Sequence, residues 1–214
     1  IIIRIMPTNS KITTEYNKKY HYYPDKIIDG LYIGPYTCAQ NYNILDNFEI
    51  KHIINVTHNH KNKFENFYNY HTISIEDTIK ENIYKYFEYY SEFINQTLNN
   101  NENILVHCNA GQSRSATIIL AFFIKYKKMS LKDSLEFLQS KRKCIAPNVE
   151  FIKQLLKWEQ EIHNTTSINV DEIIIKYISD IFPNTDKSLF KNILNENNND
   201  LALTVSKIAD IVFN

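Results

Sequence analysis

Cys108 and Arg114 stand at the two ends of one short loop, Cys-x5-Arg, within His107-Cys108-Asn109-Ala110-Gly111-Gln112-Ser113-Arg114-Ser115-Ala116. A thiolate is the nucleophilic form of cysteine, and a nearby cation or helix N-terminus lowers the pKa that controls it. Arginine offers a planar fork of donors matched to phosphate oxygens. The backbone amides of residues 109–114 would complete an anion cradle, with the dipole of a following helix favouring negative charge. These groups together point to nucleophilic attack on phosphorus, with Asn109, Ala110, Gly111, Gln112, Ser113 and Arg114 as the phosphate-binding set. Ser115 is placed to offer its hydroxyl to the sulfur as the thiolate leaves, and His107 to hydrogen-bond the loop backbone and favour the thiolate.

A Cys-x5-Arg spacing alone is a weak signal, because a lone cysteine is commonly a small buried hydrophobe. The flanking elements sharpen it. Ile104–His107 reads as a short buried strand and Ser115–Lys127 (SATIILAFFIKYK) as an apolar helix, so the loop joins a strand to a helix N-terminus. Glycine is scarce, with Gly30, Gly34 and Gly111 as its three occurrences, and one of them falls inside this loop. Such a position calls for backbone freedom or a close backbone approach.

The elements that must position the loop alternate. Leu31–Ile33, His52–Val56 and Tyr70–Ile75 read as strands, Thr37–Phe48 as a helix and Ile79–Leu98 as a long helix. In the last, Ile83, Phe87, Tyr90 and Ile94 recur at helical spacing and form one apolar face. Ser130-Leu131-Lys132-Asp133 has the form of a capping box for a helix to about Lys141, and a further helix runs from Asn148 to His163. This pattern predicts an α/β fold, a central mostly parallel sheet flanked by helices, with the loop at the carboxyl end of a strand. A leaving oxygen needs a proton, so a carboxylic acid must arrive from another loop. Asp77, just past a strand in Ser74-Ile75-Glu76-Asp77-Thr78, is the candidate; Glu76 should face the other way if strand alternation continues.

HCNAGQSRSAT resembles the signature loop of the cysteine-based protein phosphatases, and its AGxSRS portion is most similar to the dual-specificity branch. Ile28-Asp29-Gly30-Leu31-Tyr32-Ile33-Gly34 resembles the opening strand of that family's catalytic domain, and Ile50–Thr57 its central strand. Ile145-Ala146-Pro147-Asn148, followed by Phe151 and Leu155-Leu156, resembles its closing helix. The resemblance covers about residues 24–163. It implies a cysteinyl-phosphate mechanism with Cys108 as nucleophile, Arg114 on the phosphoryl oxygens and Asp77 as general acid, at a distance along the chain similar to the family's. It assigns Asn148 to a position whose side chain ties neighbouring loops together. The variable loop residues Asn109, Ala110, Gln112 and Ser113 are uncharged. A polyanionic substrate calls for added basic groups there, so one phosphate on a protein side chain is favoured. The implied activity is hydrolysis of phosphotyrosine and of phosphoserine or phosphothreonine; the competing expectation is a catalytically weak phosphoprotein- or ubiquitin-binding adaptor.

Composition narrows the partners. Lys+Arg and Asp+Glu are both 24 in 214 residues, so no global basic field argues for nucleic acid. No apolar run approaches a membrane span. Cys38, Cys108 and Cys144 are widely spaced without a CxxC pair, which disfavours a disulfide scaffold and a zinc site and suits a reducing compartment, cytoplasmic or nuclear. His58 and His60 suggest a metal pair, but no ligand cluster accompanies them in the sequence and a solvated loop is expected; no metal or other cofactor is needed. Residues 1–23 read as an N-terminal extension and 164–169 as a polar linker. Over 170–214 three short helical patterns, Val170–Ile181, Lys187–Asn195 and Leu201–Val212, predict a small all-α three-helix bundle. This tail resembles a CUE-type ubiquitin-binding module, with Ile181-Phe182-Pro183 at the place of its FP motif. Ile211-Val212 stand where that family has Leu-Leu. The resemblance implies ubiquitin as a partner of residues 170–214; a packing or oligomerising bundle is the other reading.

Overall fold

The computed structural model describes residues 22–197 and 201–213, so the expected N-terminal extension lies outside the described residues except for the exposed Tyr22 and Tyr23. Five strands, β1 (Asp25–Ile28), β2 (Leu31–Pro35), β3 (Ile50–Asn55), β4 (Asn69–Thr72) and β5 (Asn103–Cys108), form one sheet in the order β1-β2-β5-β3-β4. β1 pairs antiparallel with β2, and every other pairing is parallel. The sheet is therefore mixed at one edge and parallel through its centre. β5 occupies that centre, with Val106 opposite Ile33 on one side and Ile54 on the other. Ile104 through Cys108 are all buried, as a strand covered on both faces requires.

One face is covered by two short helices, α1 (Tyr36–Ala39) and α2 (Tyr42–Asn47), whose Cys38, Ala39, Ile44 and Leu45 pack against Tyr32, Ile53 and Leu105. On the sheet's other side, α4 (Arg114–Tyr126) packs against β5 and β2, and α3 (Phe87–Asn99), α5 (Leu131–Lys141) and α6 (Val149–His163) pack around it. Every residue of α4 from Arg114 to Ile124 is buried. A helix apolar on all sides belongs in a core, and this one anchors the loop that precedes it. Trp158 of α6 buries its ring and donates its indole N–H to the Ala121 carbonyl of α4 at 3.1 Å.

Three expected boundaries shift. Residues 37–48 are two helices rather than one. Asn41 is extended (φ −117°, ψ 107°) and its side chain accepts the Ile44 amide, so it ends one helix and caps the next. The strand expected over Tyr70–Ile75 stops at Thr72, and the helix expected from Ile79 begins only at Phe87, after a 3₁₀ turn over Tyr84–Tyr86. Gln154 of α6 accepts the Tyr84 amide at 2.9 Å and donates to the Glu81 carbonyl at 2.9 Å. Backbone groups that would carry the helix further back are engaged by those tertiary bonds, and residues 73–83 remain a loop. The apolar set Ile83, Phe87, Tyr90 and Ile94 is buried. At α5, Ser130 accepts the Asp133 amide at 3.0 Å, and at α6, Asn148 accepts the Phe151 amide at 2.9 Å.

The chain divides into two compact units, the first ending at Ser167 and the second running from Ile168. Asn164 closes α6 in the left-handed conformation (φ 57°), and Ser167 donates its amide to Glu159 at 2.9 Å while its hydroxyl accepts the Lys132 amide at 3.0 Å. The second unit holds α7 (Val170–Ile181), α8 (Lys187–Glu196) and α9 (Leu201–Phe213). α8 packs against both of the others, and Ile174, Ile178, Phe190, Leu194 and Ile208 are buried.

Candidate active site

β5 delivers Cys108 at its carboxyl end, and residues 109–113 turn directly into α4. Each carbonyl of that turn is held, four by other segments and the last by α4 itself. Asn109 O accepts the Tyr36 amide at 3.0 Å and Gln112 O the Ala146 amide at 3.0 Å. Ala110 O accepts Arg142 Nη2 at 3.0 Å and Gly111 O accepts Arg142 Nε at 2.8 Å. Ser113 O accepts both the amide and the hydroxyl of Thr117, at 2.9 and 2.8 Å. In a planar trans peptide a carbonyl and the next residue's N–H point in opposite directions. Five held carbonyls therefore fix the amides of residues 110–114 on the opposite side of their peptide planes, and the Gln112 amide acts on Cys108. Gly111 fits this turn on two counts: its φ is +64°, and a Cβ there would meet Gly34 O at 2.5 Å.

Cys108 lies at the floor of the cradle, 2% exposed. Burial pushes its thiol up, yet the net shift is downward. Arg114 contributes the largest opposing effect, followed by the Ser115 hydroxyl, 3.3 Å from Sγ, and the amides of Ser115 and Gln112. Arg114 is also buried. Its Nη1 donates to the Ile75 carbonyl at 3.2 Å, and its buried Nε makes no hydrogen bond and lies 3.9 Å from Asp77 Oδ2. A buried guanidinium donor so placed suits an anion's oxygen. His107 is 1% exposed, with Nδ1 3.4 Å from the Cys108 carbonyl; desolvation pushes its pKa down to about 4. It is neutral at pH 7, so it acts on the loop by packing and hydrogen bonding rather than by charge.

Asp77 comes to the cradle from the loop after β4. Its Oδ1 accepts the Ser113 hydroxyl at 2.7 Å and Asn148 Nδ2 at 2.8 Å, while Oδ2 faces Arg114. Asn148 thus caps α6 and holds Asp77 with one side chain, and its own amide donates to Ser113 Oγ at 3.1 Å. Glu76 faces elsewhere: its Oε1 lies 3.4 Å from His58 Nε2. His58 and His60 part company as well. His60 stacks on Tyr36, ring centroids 3.6 Å apart, with Nε2 3.2 Å from Asn109 Oδ1. No group of three His, Cys, Asp or Glu placed to hold a metal occurs among the described residues.

Sequence reasoning brought together Cys108, Arg114, Asp77, Ser115, His107 and Asn148, and the structure gathers all six around one loop. It missed Tyr36 at the rim and Arg142 with Asp25 beneath the loop, and it took His60 for a solvated loop residue where the side chain stacks on Tyr36 and meets Asn109. Arg142 is fully buried, its Nη1 2.7 Å from Asp25 Oδ2. A signal was present: the chain holds three arginines, Arg4, Arg114 and Arg142, among 24 Lys and Arg. Among the described residues, both arginines, Arg114 and Arg142, lie against the loop.

Residues 31–161 match the family model described as dual specificity phosphatase, catalytic domain, and the chain belongs to that family. Dual specificity protein phosphatase 1-A of Xenopus laevis is 37% identical over 139 residues, covering 65% of this chain and 38% of that protein. MAP kinase phosphatase with leucine-rich repeats protein 3 of Dictyostelium discoideum is 31% identical over 147 residues, covering 69% of this chain and 17% of that protein. The chain thus spans well under two thirds of these relatives' length. Among solved structures, the human tyrosine phosphatase-like serine/threonine/tyrosine-interacting protein superposes with a TM-score of 0.61 at 33% identity, covering 64% of this chain and 96% of that one.

Proposed function

We propose that this chain is a protein phosphatase that hydrolyses phosphotyrosine and phosphoserine or phosphothreonine through a cysteinyl-phosphate intermediate. The observation that carries the reading is the turn of held carbonyls and fixed amides beside a thiol with a lowered pKa, closed by the buried Arg114. Family membership supports the same activity. In the first step Cys108 Sγ attacks phosphorus as the bond to the leaving oxygen breaks, and Asp77 gives that oxygen its proton. In the second, water attacks phosphorus, Asp77 takes a proton from it, and the S–P bond breaks to release phosphate and the thiolate. Ser115 Oγ, already within reach of Sγ, stabilises the departing sulfur. Arg114 and the loop amides meet charge on the three equatorial oxygens throughout. Intact Cys108, Arg114 and Asp77 count against an adaptor without turnover. The three cysteines are free, which supports a reducing compartment, cytoplasmic or nuclear.

A small aryl phosphate tests this. Cys108→Ser should abolish turnover, and retained activity would sink the assignment. Asp77→Ala should lose about a hundredfold or more with leaving groups of high pKa, and far less with those of low pKa.

For residues 170–214, we infer a CUE-like bundle that binds ubiquitin. Leu203, Ile211 and Val212 on α9 are exposed, which supports a docking role for that helix, while Phe182 is buried. Titrating ubiquitin into the full chain should shift the amide resonances of α9; none moving at millimolar ubiquitin would dismiss the reading.

A further inference from the structure

Beneath the signature turn, the carbonyls of Asn109 and Gln112 are held by backbone amides of other segments, and that of Ser113 by its own helix. The two in the middle, Ala110 O and Gly111 O, share one side chain, Arg142. We propose that Arg142 is a positioning residue of the phosphate cradle: its guanidinium, fixed by Asp25, pins these carbonyls outward and so aims the amides of Gly111 and Gln112 at the phosphoryl group and the Cys108 sulfur. The role presupposes the Cys108 nucleophile proposed above.

Geometry makes arginine specific here. Nε and Nη2 reach two successive carbonyls at 2.8 and 3.0 Å, while Nη1 reaches Asp25 Oδ2 at 2.7 Å. One planar fork therefore fixes two peptide planes relative to each other, which the single point of a lysine ammonium does not do. A peptide plane whose carbonyl is held has its N–H held too. The Gln112 amide is one of the groups acting on the Cys108 sulfur. The chain of contacts is continuous: Asp25, Arg142, Gly111 carbonyl, Gln112 amide, Sγ.

Charge plays a different part. A fully buried ion pair adds little stability over apolar packing of the same volume, whereas orientation is something an apolar side chain does not supply. The Asp25 carboxylate sits against the guanidinium, so the Arg142 cation is matched from below, and Arg114 is the cation that acts on Cys108. Arg142 works through hydrogen bonds, Arg114 through its field. Two further links fix the clamp in place. Asp25 lies on β1, and Arg142 closes α5 with its amide on the Leu138 carbonyl while its own carbonyl accepts the Ile145 amide. The segment that follows returns the Ala146 amide to Gln112 O. The edge strand and the α5–α6 connection thereby converge on the catalytic turn from the side away from the substrate.

The test uses the full chain as wild type, Arg142→Lys, Arg142→Met and Asp25→Asn, each checked for a cooperative thermal transition. Three quantities are read: the pH dependence of Cys108 alkylation by iodoacetamide, orthovanadate affinity, and kcat and KM for an aryl phosphate. Turning one amide off the anion removes one charge-assisted hydrogen bond, about tenfold or more in affinity. The expected result is a Cys108 titration displaced upward and vanadate binding weakened in the order wild type, Lys, Met, with kcat falling alongside. Asp25→Asn, which keeps an acceptor and loses the charge, should lie nearest wild type. Folded Arg142→Lys protein with wild-type titration and vanadate affinity would overturn the proposal, even if Arg142→Met does not fold. A wild-type Cys108 that titrates as a free cysteine and ignores vanadate would overturn the underlying reading of the loop instead.

Discussion

Cys108 carries two opposed influences. Burial pushes the thiol up, while Arg114, the Ser115 hydroxyl and the amides of Ser115 and Gln112 pull it down further, so the thiol of a nearly inaccessible sulfur ends below its ordinary pKa. Contrast Cys38, equally buried but with its thiol donating to the Pro35 carbonyl, where burial pushes the pKa up to about 12. Reactivity follows the surroundings rather than depth. His107 shows the stability side of the same physics. It titrates at about 4 in the folded chain against 6.5 when unperturbed. Between those values the unfolded chain binds a proton that the folded chain does not. The stabilisation is therefore complete above pH 6.5 and is lost as pH falls toward 4, roughly 3 kcal/mol over that window. Urea unfolding at pH 7 and 4.5 should show a steeper loss for wild type than for His107→Gln; equal losses would contradict it. At this scale the sequence named Cys108, Arg114 and Ser115, because their chemistry is local in the chain. It did not name Arg142 or Asp25, because Lys141-Arg142-Lys143 looks like a solvated basic run and the pairing joins residues far apart in the chain.

Helices and strands set the site by where they begin and end. α4 starts at Arg114, so the loop amides lead directly into the helix N-terminus, an arrangement that favours a bound anion. α6 starts at Val149, and its cap Asn148 is also the tether of Asp77. These two jobs separate under substitution. Asn148→Ser keeps a capping oxygen, so its melting temperature should stay close to wild type, while kcat with leaving groups of high pKa falls because Asp77 loses a donor. Asn148→Ala should lose the cap as well, about 1 kcal/mol. Unchanged kcat in Asn148→Ser would show that the tether does not matter to the acid. The capping-box form at Ser130 placed the start of α5, and periodicity located the body of α3 through its buried Phe87, Tyr90 and Ile94. Periodicity failed at residues 37–48 and 79–86, where one asparagine cap and the contacts of Gln154 override helical preference. The second failure bears on function, since the unwound segment continues the loop, residues 73–83, that brings Asp77 to Arg114.

The whole molecule resolves into an α/β unit and a helical one. In the first, the most central strand, β5, carries the nucleophile, and both neighbours run parallel to it. Ligands of such sheets meet the carboxyl ends of the strands, so the topology and the Cys-x5-Arg loop select the same edge. That edge was legible because alternation of strand and helix implies it. The antiparallel β1 was not, although Asp25 on that strand reaches the loop through Arg142. The uncharged loop residues suit a single phosphate, and under the proposed activity the choice of phosphoprotein falls to surfaces outside the cradle. Everything rests on phosphorus passing through Cys108. Ser115→Ala should slow release of the sulfur, so the intermediate should accumulate. After mixing with an aryl phosphate and quenching in acid within one turnover, peptide mapping should place the phosphoryl group on Cys108, with a burst of one leaving group per enzyme. A linear time course without a burst, and no phosphate on Cys108, would contradict the account.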